Sequence, residues 1–284
     1  MKYQWIKTYL SSYPLMAMCR VLKVCRSGFY AWVKLPAGRP SSRSESLLES
    51  IRQEFENSGE VYGSPRVAMA LVARGIRVCV NTVARCMKEH GIRVKPTRRY
   101  VPRTTQTDAS LKPSPNLLDR DFEATGVNQK WCSDITYVRT DEGWLYVAMI
   151  KDLYSKKIIG WAMEGHMRVE LTLAALAMAI QKRGSFKGVI HHSDRGKQYA
   201  GADYRAMLNK HQITQSMSGT GDCYDNAPAE SFFASLKKEL VNLRTFKTLD
   251  EAKHEVFVYI EGFYNRTRLH SAIGYVSPEK FEAA

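Results

Sequence analysis

Residues 130–139 read Lys130-Trp131-Cys132-Ser133-Asp134-Ile135-Thr136-Tyr137-Val138-Arg139, and this stretch decides the fold. Aromatic and β-branched residues crowd it, so it predicts a strand. Along a strand, side chains alternate between faces, so Asp134 points away from Trp131, Ser133, Ile135 and Tyr137. A charge in mid-strand is costly unless something uses it. Working outward, Asp141-Glu142-Gly143 predicts a hairpin turn, Trp144–Asp152 a second strand and Lys157–Glu164 a third. Leu171–Lys182 predicts a helix, Gly188–Asp194 a buried strand, Tyr204–Lys210 a helix and Ile213–Met217 a strand. A glycine-rich loop, Ser218–Asp225, precedes helices over 226–241 and about 249–264. Three hairpin-joined strands followed by helix, strand, helix, strand, helix predict a mixed-sheet α/β layer structure.

Upstream the rhythm is helical. Residues 1–38 hold a helical pattern over Leu15–Leu22, a break at Lys23–Arg26 and a second apolar piece from Ser27, with Ser27 as its cap. This spacing suits a helix-turn-helix-like segment. Pro36–Ser44 reads as a linker. In the helical unit 45–103, Leu47, Leu48, Ile51 and Phe55 share one face. Ser64 is expected as a cap with Pro65 at the first helical position, and Asn81 as the next cap. Both helices end in Gly-Ile-Arg-Val, at 75–78 and 91–94. Two short helices carrying many arginines fit helix-turn-helix docking on DNA, with Arg66, Arg77, Arg85, Arg98 and Arg99 as candidate contacts. Residues 104–121 read as a second linker, 122–242 as a catalytic core, and 243–284 as its C-terminal helix and tail.

The charge distribution supports that division. The 284 residues carry 42 Lys/Arg and 28 Asp/Glu, a net of +14. Residues 1–120 hold 21 basic and 8 acidic residues, leaving 21 and 20 for 121–284. A basic part joined to a near-neutral part suggests one region that grips a polyanion and another with a different task. Apolar residues at 44% exclude a disordered chain. No apolar run reaches membrane-spanning length, and the start lacks a signal-peptide core. The six cysteines form no C-x-x-C pair and no zinc-finger spacing. A soluble, cytoplasmic and nucleoid-associated protein is the expectation.

Three carboxylates stand out. Asp134 lies in mid-strand, Asp194 ends a strand before Gly196, and Glu230 follows Pro228 at a helix start. Such hard oxygen donors suit Mg²⁺ or Mn²⁺, and two ions ~4 Å apart can serve an in-line phosphoryl displacement. Taken singly, each has an ordinary structural role open to it: ion pairing, turn capping or helix capping. Their spacing narrows this, with 59 residues between Asp134 and Asp194 and 35 between Asp194 and Glu230.

That spacing resembles the D-x35-E pattern of retroviral integrases and related transposases. Trp131–Tyr137, His192–Tyr199, Cys223–Phe233 and the tail Tyr264-Asn265, Arg268, His270–Tyr275 and Ser277-Pro278 resemble, in order, the motifs of the IS-three family of bacterial insertion sequences. The chain is similar to the second-frame (OrfB) product of that family. The resemblance implies a ribonuclease H-like, retroviral integrase-type core with a mixed five-stranded sheet. It implies metal-dependent cleavage at element ends and transfer by the freed 3′-hydroxyl. It makes Asp134, Asp194 and Glu230 the ligands of paired Mg²⁺ or Mn²⁺ ions. Lys237, two helical turns after Glu230, is expected on terminal phosphate, and Arg268 after the last helix is a further DNA candidate. His192 is expected to orient the Asp194 loop and Asn226 to position the Glu230 helix or cap it. The implied partners are double-stranded DNA, further copies of the chain on DNA, and a first-frame (OrfA) product. Two other readings stay open: a nuclease or resolvase without strand transfer, and a non-catalytic DNA-binding regulator. The chain departs from the family at Ser218–Asp222, where basic residues are common.

Overall fold

Helix stops and strand alternation shape the molecule, as seen in a computed structural model that describes residues 2–34, 42–95, 113–184, 186–219 and 223–284. Arg98, Arg99 and residues 104–112 of the linker lie outside these residues. The chain forms two compact units, 1–52 and 53–284.

In the first unit, α1 (Lys2–Thr8), α2 (Leu15–Val21) and α3 (Arg26–Lys34) enclose Ile6, Met18, Cys19 and Phe29. The expected cap at Ser27 is corrected: α3 begins earlier, and the Cys25 sulfur accepts the Gly28 N–H at 3.3 Å. A polarisable sulfur one turn ahead of the amide does the work of a hydroxyl. Helix α4 (Ser42–Asn57) follows.

In the second unit come α5 (Ser64–Ala73) and α6 (Val80–Glu89). Ser64 and Asn81 lie inside these helices, and Gly63 and Cys79 hold the cap positions. The twin stops are as the sequence suggests. Gly75 and Gly91 adopt φ of +83° and +69°, which only glycine takes without steric cost. Ile76 N–H then bonds Leu71 C=O, and Ile92 N–H bonds Met87 C=O, closing each helix by the same backbone pattern.

The sheet contains β1 (Lys130–Thr140), β2 (Gly143–Asp152), β3 (Ile158–Glu164), β4 (Ile190–Ser193) and β5 (Thr214–Met217) in the order β3-β2-β1-β4-β5. The first three strands are antiparallel, and β4 and β5 add in parallel. This is the mixed ribonuclease H-like sheet expected from the sequence. Helix α7 (Val169–Arg183) makes the crossover to β4, and α8 (Lys197–Ala200) with α9 (Ala202–Lys210) makes the crossover to β5.

Alternation along β2 sends Leu145, Val147 and Met149 to one face and Ala148 and Ile150 to the other. The first face is covered by α10 (Ala227–Glu239) and α11 (Leu249–Phe257) through Phe232, Leu236 and Val256. The second is covered by α7 and α9 through Leu171, Leu176 and Tyr204. Gly160 on β3 lets α7 press against the sheet, since a Cβ there would collide with the Ala175 carbonyl.

The helix expected over 249–264 changes its winding at Val258 and continues to Tyr264 with i→i+5 bonds. The wider turn delivers Asn265, whose amide gives and receives a 2.9 Å bond with Ile158 at the start of β3. Helix α12 (Pro278–Glu282) ends the chain, capped by the Ser277 hydroxyl.

Candidate active site

Strand register brings two of the three carboxylates together. The parallel ladder between β1 and β4 runs Lys130↔Ile190, Trp131↔His191 and Cys132↔His192, then stops. Asp134 and Asp194 each lie two residues past the last rung, on neighbouring strands at the point where they diverge. A parallel sheet opens its strand ends into a crevice at such a point.

The third carboxylate arrives on α10. Pro228 lies in the first turn, and Glu230 follows with its side chain exposed. Asn226 precedes the helix and makes no side-chain cap bond. Instead its amide nitrogen donates 3.3 Å to the Ser133 carbonyl, next to Asp134. This ties the start of α10 to β1, while the amide oxygen of Asn226 is buried and meets no donor among the described residues. The Lys151 ammonium, buried beneath, donates 3.0 Å to the Pro228 carbonyl and adds a second tie between sheet and helix.

The electrostatics show a site short of positive charge. Asp134 is pushed up to about 8, first by burial, then by the charge of Asp194, with Glu230 adding to it. The Ile135 N–H and Lys237 oppose that rise. Burial also raises Glu230 and lowers Lys237. Asp134 Oδ1 accepts from Ile135 N–H at 2.8 Å, and Asp194 Oδ1 accepts from Gly196 N–H at 2.9 Å. Among the described residues, no three His, Cys, Asp or Glu side chains stand close enough to chelate one ion. The trio therefore shares one mouth without forming a ready coordination sphere.

Neither histidine before Asp194 faces that mouth as a ligand. His191 meets the Tyr204 hydroxyl at 3.1 Å, and burial drives it down to about 3. His192 spans β5, with Nδ1 2.8 Å from Ser216 Oγ and Nε2 3.2 Å from Ser218 Oγ. It thereby braces the segment that leads to the glycine-rich loop.

Asp225 lies at that loop's far end, and sequence reading passed over it. It is buried, and its Oδ2 accepts from Gly219 N–H at 2.7 Å and Asn116 Nδ2 at 3.0 Å. Arg120 lies 3.5 Å from its other oxygen. The segment 114–117 runs along the edge of β5 through Leu117 N–H to Ser216 Oγ and Met217 N–H to Pro115 C=O. What reads as linker composition is in part an edge cover that holds the loop before Glu230.

The candidate DNA contacts divide by burial. Arg77 and Arg85 are exposed. Arg66 is half-buried, donating 3.0 Å to the Leu269 carbonyl with its guanidinium 3.6 Å from Glu239. Arg268 is corrected: it is 4% exposed and grips both Glu239 oxygens at 2.7 Å. Its charge is spent inside the protein, so it presents none to a phosphate. Lys237 lies over the Tyr137 ring at 5.2 Å.

A five-stranded mixed sheet with carboxylates at diverging parallel strands and a third on the following helix defines a nucleotidyl-transfer core of integrase type. Family models agree: an integrase core domain matches residues 124–223 and again 230–284, and an HTH-like domain matches 42–100. The chain is 44% identical to the transposase InsF for insertion sequence IS3A of Escherichia coli strain K12, over 99% of this chain and 98% of that one. It is 43% identical to an uncharacterized 31 kDa protein of insertion element IS600 from Shigella sonnei, over 93% and 97%. The catalytic core domain of HTLV-2 integrase, solved with magnesium, aligns with 56% of this chain and 99% of that one at 15% identity and a TM-score of 0.44. The chain belongs to the family of IS3-type insertion-sequence transposases.

Proposed function

We propose that this chain cuts DNA at the ends of an insertion sequence and joins the freed 3′-hydroxyl to target DNA, with Asp134, Asp194 and Glu230 as its metal-binding carboxylates. The β1–β4 register carries this reading, because it sets Asp134 beside Asp194 where the sheet opens. The donor set suits the group: three hard carboxylates, with Asp134 pushed up to about 8 by burial first and then by the charge of Asp194, both of which a divalent cation would offset. When bound, two Mg²⁺ or Mn²⁺ ions supply activation of the attacking oxygen and charge neutralisation at the leaving one.

The residues of the chain do the rest. Asn226 and Lys151 fix the start of α10 against β1, and so fix Glu230 relative to Asp134. His192 and Asp225 hold the two ends of the loop between them. Lys237 offers a cation on the Asp134 side of α10, placed for a phosphate. Arg77 and Arg85, exposed on and beside α6, supply the duplex grip in this reading. Joining requires two ends in one complex, so several copies act together on DNA, and a first-frame product is a further partner.

The test is incubation of element-end duplex and a target plasmid with the full chain and Mn²⁺ or Mg²⁺. Joined molecules from the native chain and none from Asp134→Asn are the expected result. Hydrolysed ends without joined products would remove the transfer half of the proposal. Unchanged joining by Asp134→Asn would remove the site assignment.

A further inference from the structure

Beside the carboxylates, where β1 runs past the end of β4, lies a cleft of about 370 Å³ that the cleavage chemistry does not use. Two aromatic rings form its wall. Tyr137 and Trp144 meet edge to face, with centroids 4.9 Å apart and an interplanar angle of 87°. The register accounts for this: Tyr137 pairs with Tyr146, so Trp144 lies on the diagonal of the same face. Lys237 caps the tyrosine ring, and the indole remains 42% exposed. Arg139 and Arg244 complete a basic rim, with Asp141 the one carboxylate among the lining residues. Arg244 is paired with Glu255, so Lys237 and Arg139 are the cations that face the cleft with least compensation.

Hairpin stability explains the aromatic pair but not its setting. A cross-strand pair needs no cations, and a solvent-facing hairpin does not require an indole this exposed. A cleft with one open aromatic face, a basic rim and a size in the small-ligand range matches one chemical class well: a nucleotide with its base out of the helix. Every base has a π-face, so stacking there needs no particular sequence. A paired base cannot reach it, because its faces are already occupied by its neighbours.

We propose that this cleft takes the base of one unpaired nucleotide at the DNA end, stacked on Trp144, with the flanking phosphate on Lys237 and Arg139. Lys237 joins the two places, since its ammonium covers Tyr137 and also acts electrostatically on Asp134. A nucleotide seated here sits next to the one presented to the carboxylates. The inference deepens the strand-transfer reading and rests on it for the identity of the DNA end.

The test uses the full chain in chelator, so that binding is read without chemistry. The probe is a duplex oligonucleotide with a two-nucleotide single-stranded extension carrying 2-aminopurine, on either strand, compared with the same duplex made blunt. The native chain should prefer an extended probe and change its 2-aminopurine emission. Trp144→Ala should weaken binding to the extended probe by roughly 5- to 150-fold and leave blunt-duplex binding unchanged. Trp144→Phe should keep most of the preference, because it keeps a ring. Trp144→Thr, a strand-forming residue without a ring, replaces the alanine variant should that one fail to fold. Equal binding of extended and blunt probes by the native chain, or an unaltered preference without the ring, would overturn the proposal. Asp134→Asn separates the two ideas: it should stack the probe as the native chain does while joining nothing. Joining by Asp134→Asn would sink the catalytic assignment and leave the cleft standing.

Discussion

The two ends of α10 carry one glutamate each, nine positions apart, and treat it in opposite ways. Glu239 is closed in: Arg268 binds both its oxygens, the Tyr259 hydroxyl donates at 2.8 Å, and Arg66 stands 3.6 Å away. Glu230 is left largely open to solvent near two further carboxylates, raised by partial desolvation and with no ion pair of its own among the described residues. Charge type and helix are the same, so the difference lies in the neighbours. A carboxylate surrounded by donors holds structure together. A carboxylate kept among its like has affinity to spare for a cation.

The contrast can be broken first at the open end. Glu230→Gln should lower DNA joining by roughly 10³-fold or more, the scale of several kcal/mol of lost charge stabilisation. Its folding free energy should stay within about 0.5 kcal/mol of the native value in urea titrations, as for other exposed positions. A large stability loss would mean that Glu230 is as structural as Glu239.

At the closed end the pattern should reverse. Glu239→Gln leaves the Arg268 guanidinium buried and uncompensated, which costs about 3–5 kcal/mol. Urea unfolding would read this, and a change below about 1 kcal/mol would refute the hub. Arg66 of α5 also reaches Glu239, so this variant should loosen the attachment of the helices 53–95 to the core. Faster amide exchange at Leu269, whose N–H bonds the Tyr62 hydroxyl at 2.8 Å, would report it.

The two ends should also titrate with opposite signs. Burial, then the charges of Arg268 and Lys151, hold His270 down at about 3. Below about 6.5 the unfolded chain binds a proton that the folded chain refuses, so stability falls as pH drops from there toward 3. Asp134 runs the other way. The unfolded chain loses that proton near 4 and the folded chain near 8, so the metal-free protein loses stability as pH rises between them. Each slope approaches about 1.4 kcal/mol per pH unit for one proton. His270→Asn should flatten the acid limb only, and Asp134→Asn the neutral limb only, in melts across pH.

The smallest expected effect is at Asn116. Asn116→Ala removes one neutral-to-charged bond to Asp225, worth about 1.5–3 kcal/mol locally, partly offset because Gly219 and Arg120 still hold that carboxylate. Proteolysis within 218–225 should quicken more than global unfolding does. Equal changes in both would argue against a local hold.

Much of this was legible in the chain. Strand alternation and hairpin residues are local signals, so the sheet over 130–217 and the helices flanking it could be read directly. Asp134, Asp194 and Glu230 stood out through spacing, which survives without any knowledge of contacts. Arg268 was misread because counting charges cannot distinguish a cation aimed at phosphate from one locked to Glu239, 29 residues earlier in the chain. Asp225 and Asn116 were missed for the same reason, being joined across 109 positions. The caps at Ser27, Ser64 and Asn81 failed because a sulfur or a bare glycine can serve where hydroxyls and amides are usual. The change of winding after Phe257 leaves no composition signal, and its product, the Asn265 splint on β3, depends on it.

The short ladder between β1 and β4 has a consequence for how this chain tolerates change in length. Between Asp134 and Asp194 lie a hairpin, a third strand and a crossover helix, and the exposed hairpin turn at 141–142 can gain residues without moving either carboxylate. The three rungs from Lys130 to Cys132 permit nothing of the kind. One residue inserted between a rung and its aspartate would turn that side chain to the opposite face of the sheet. Surveyed insertions should therefore crowd into the exposed turn at 141–142 and avoid 132–134 and 192–194, whatever the residues inserted.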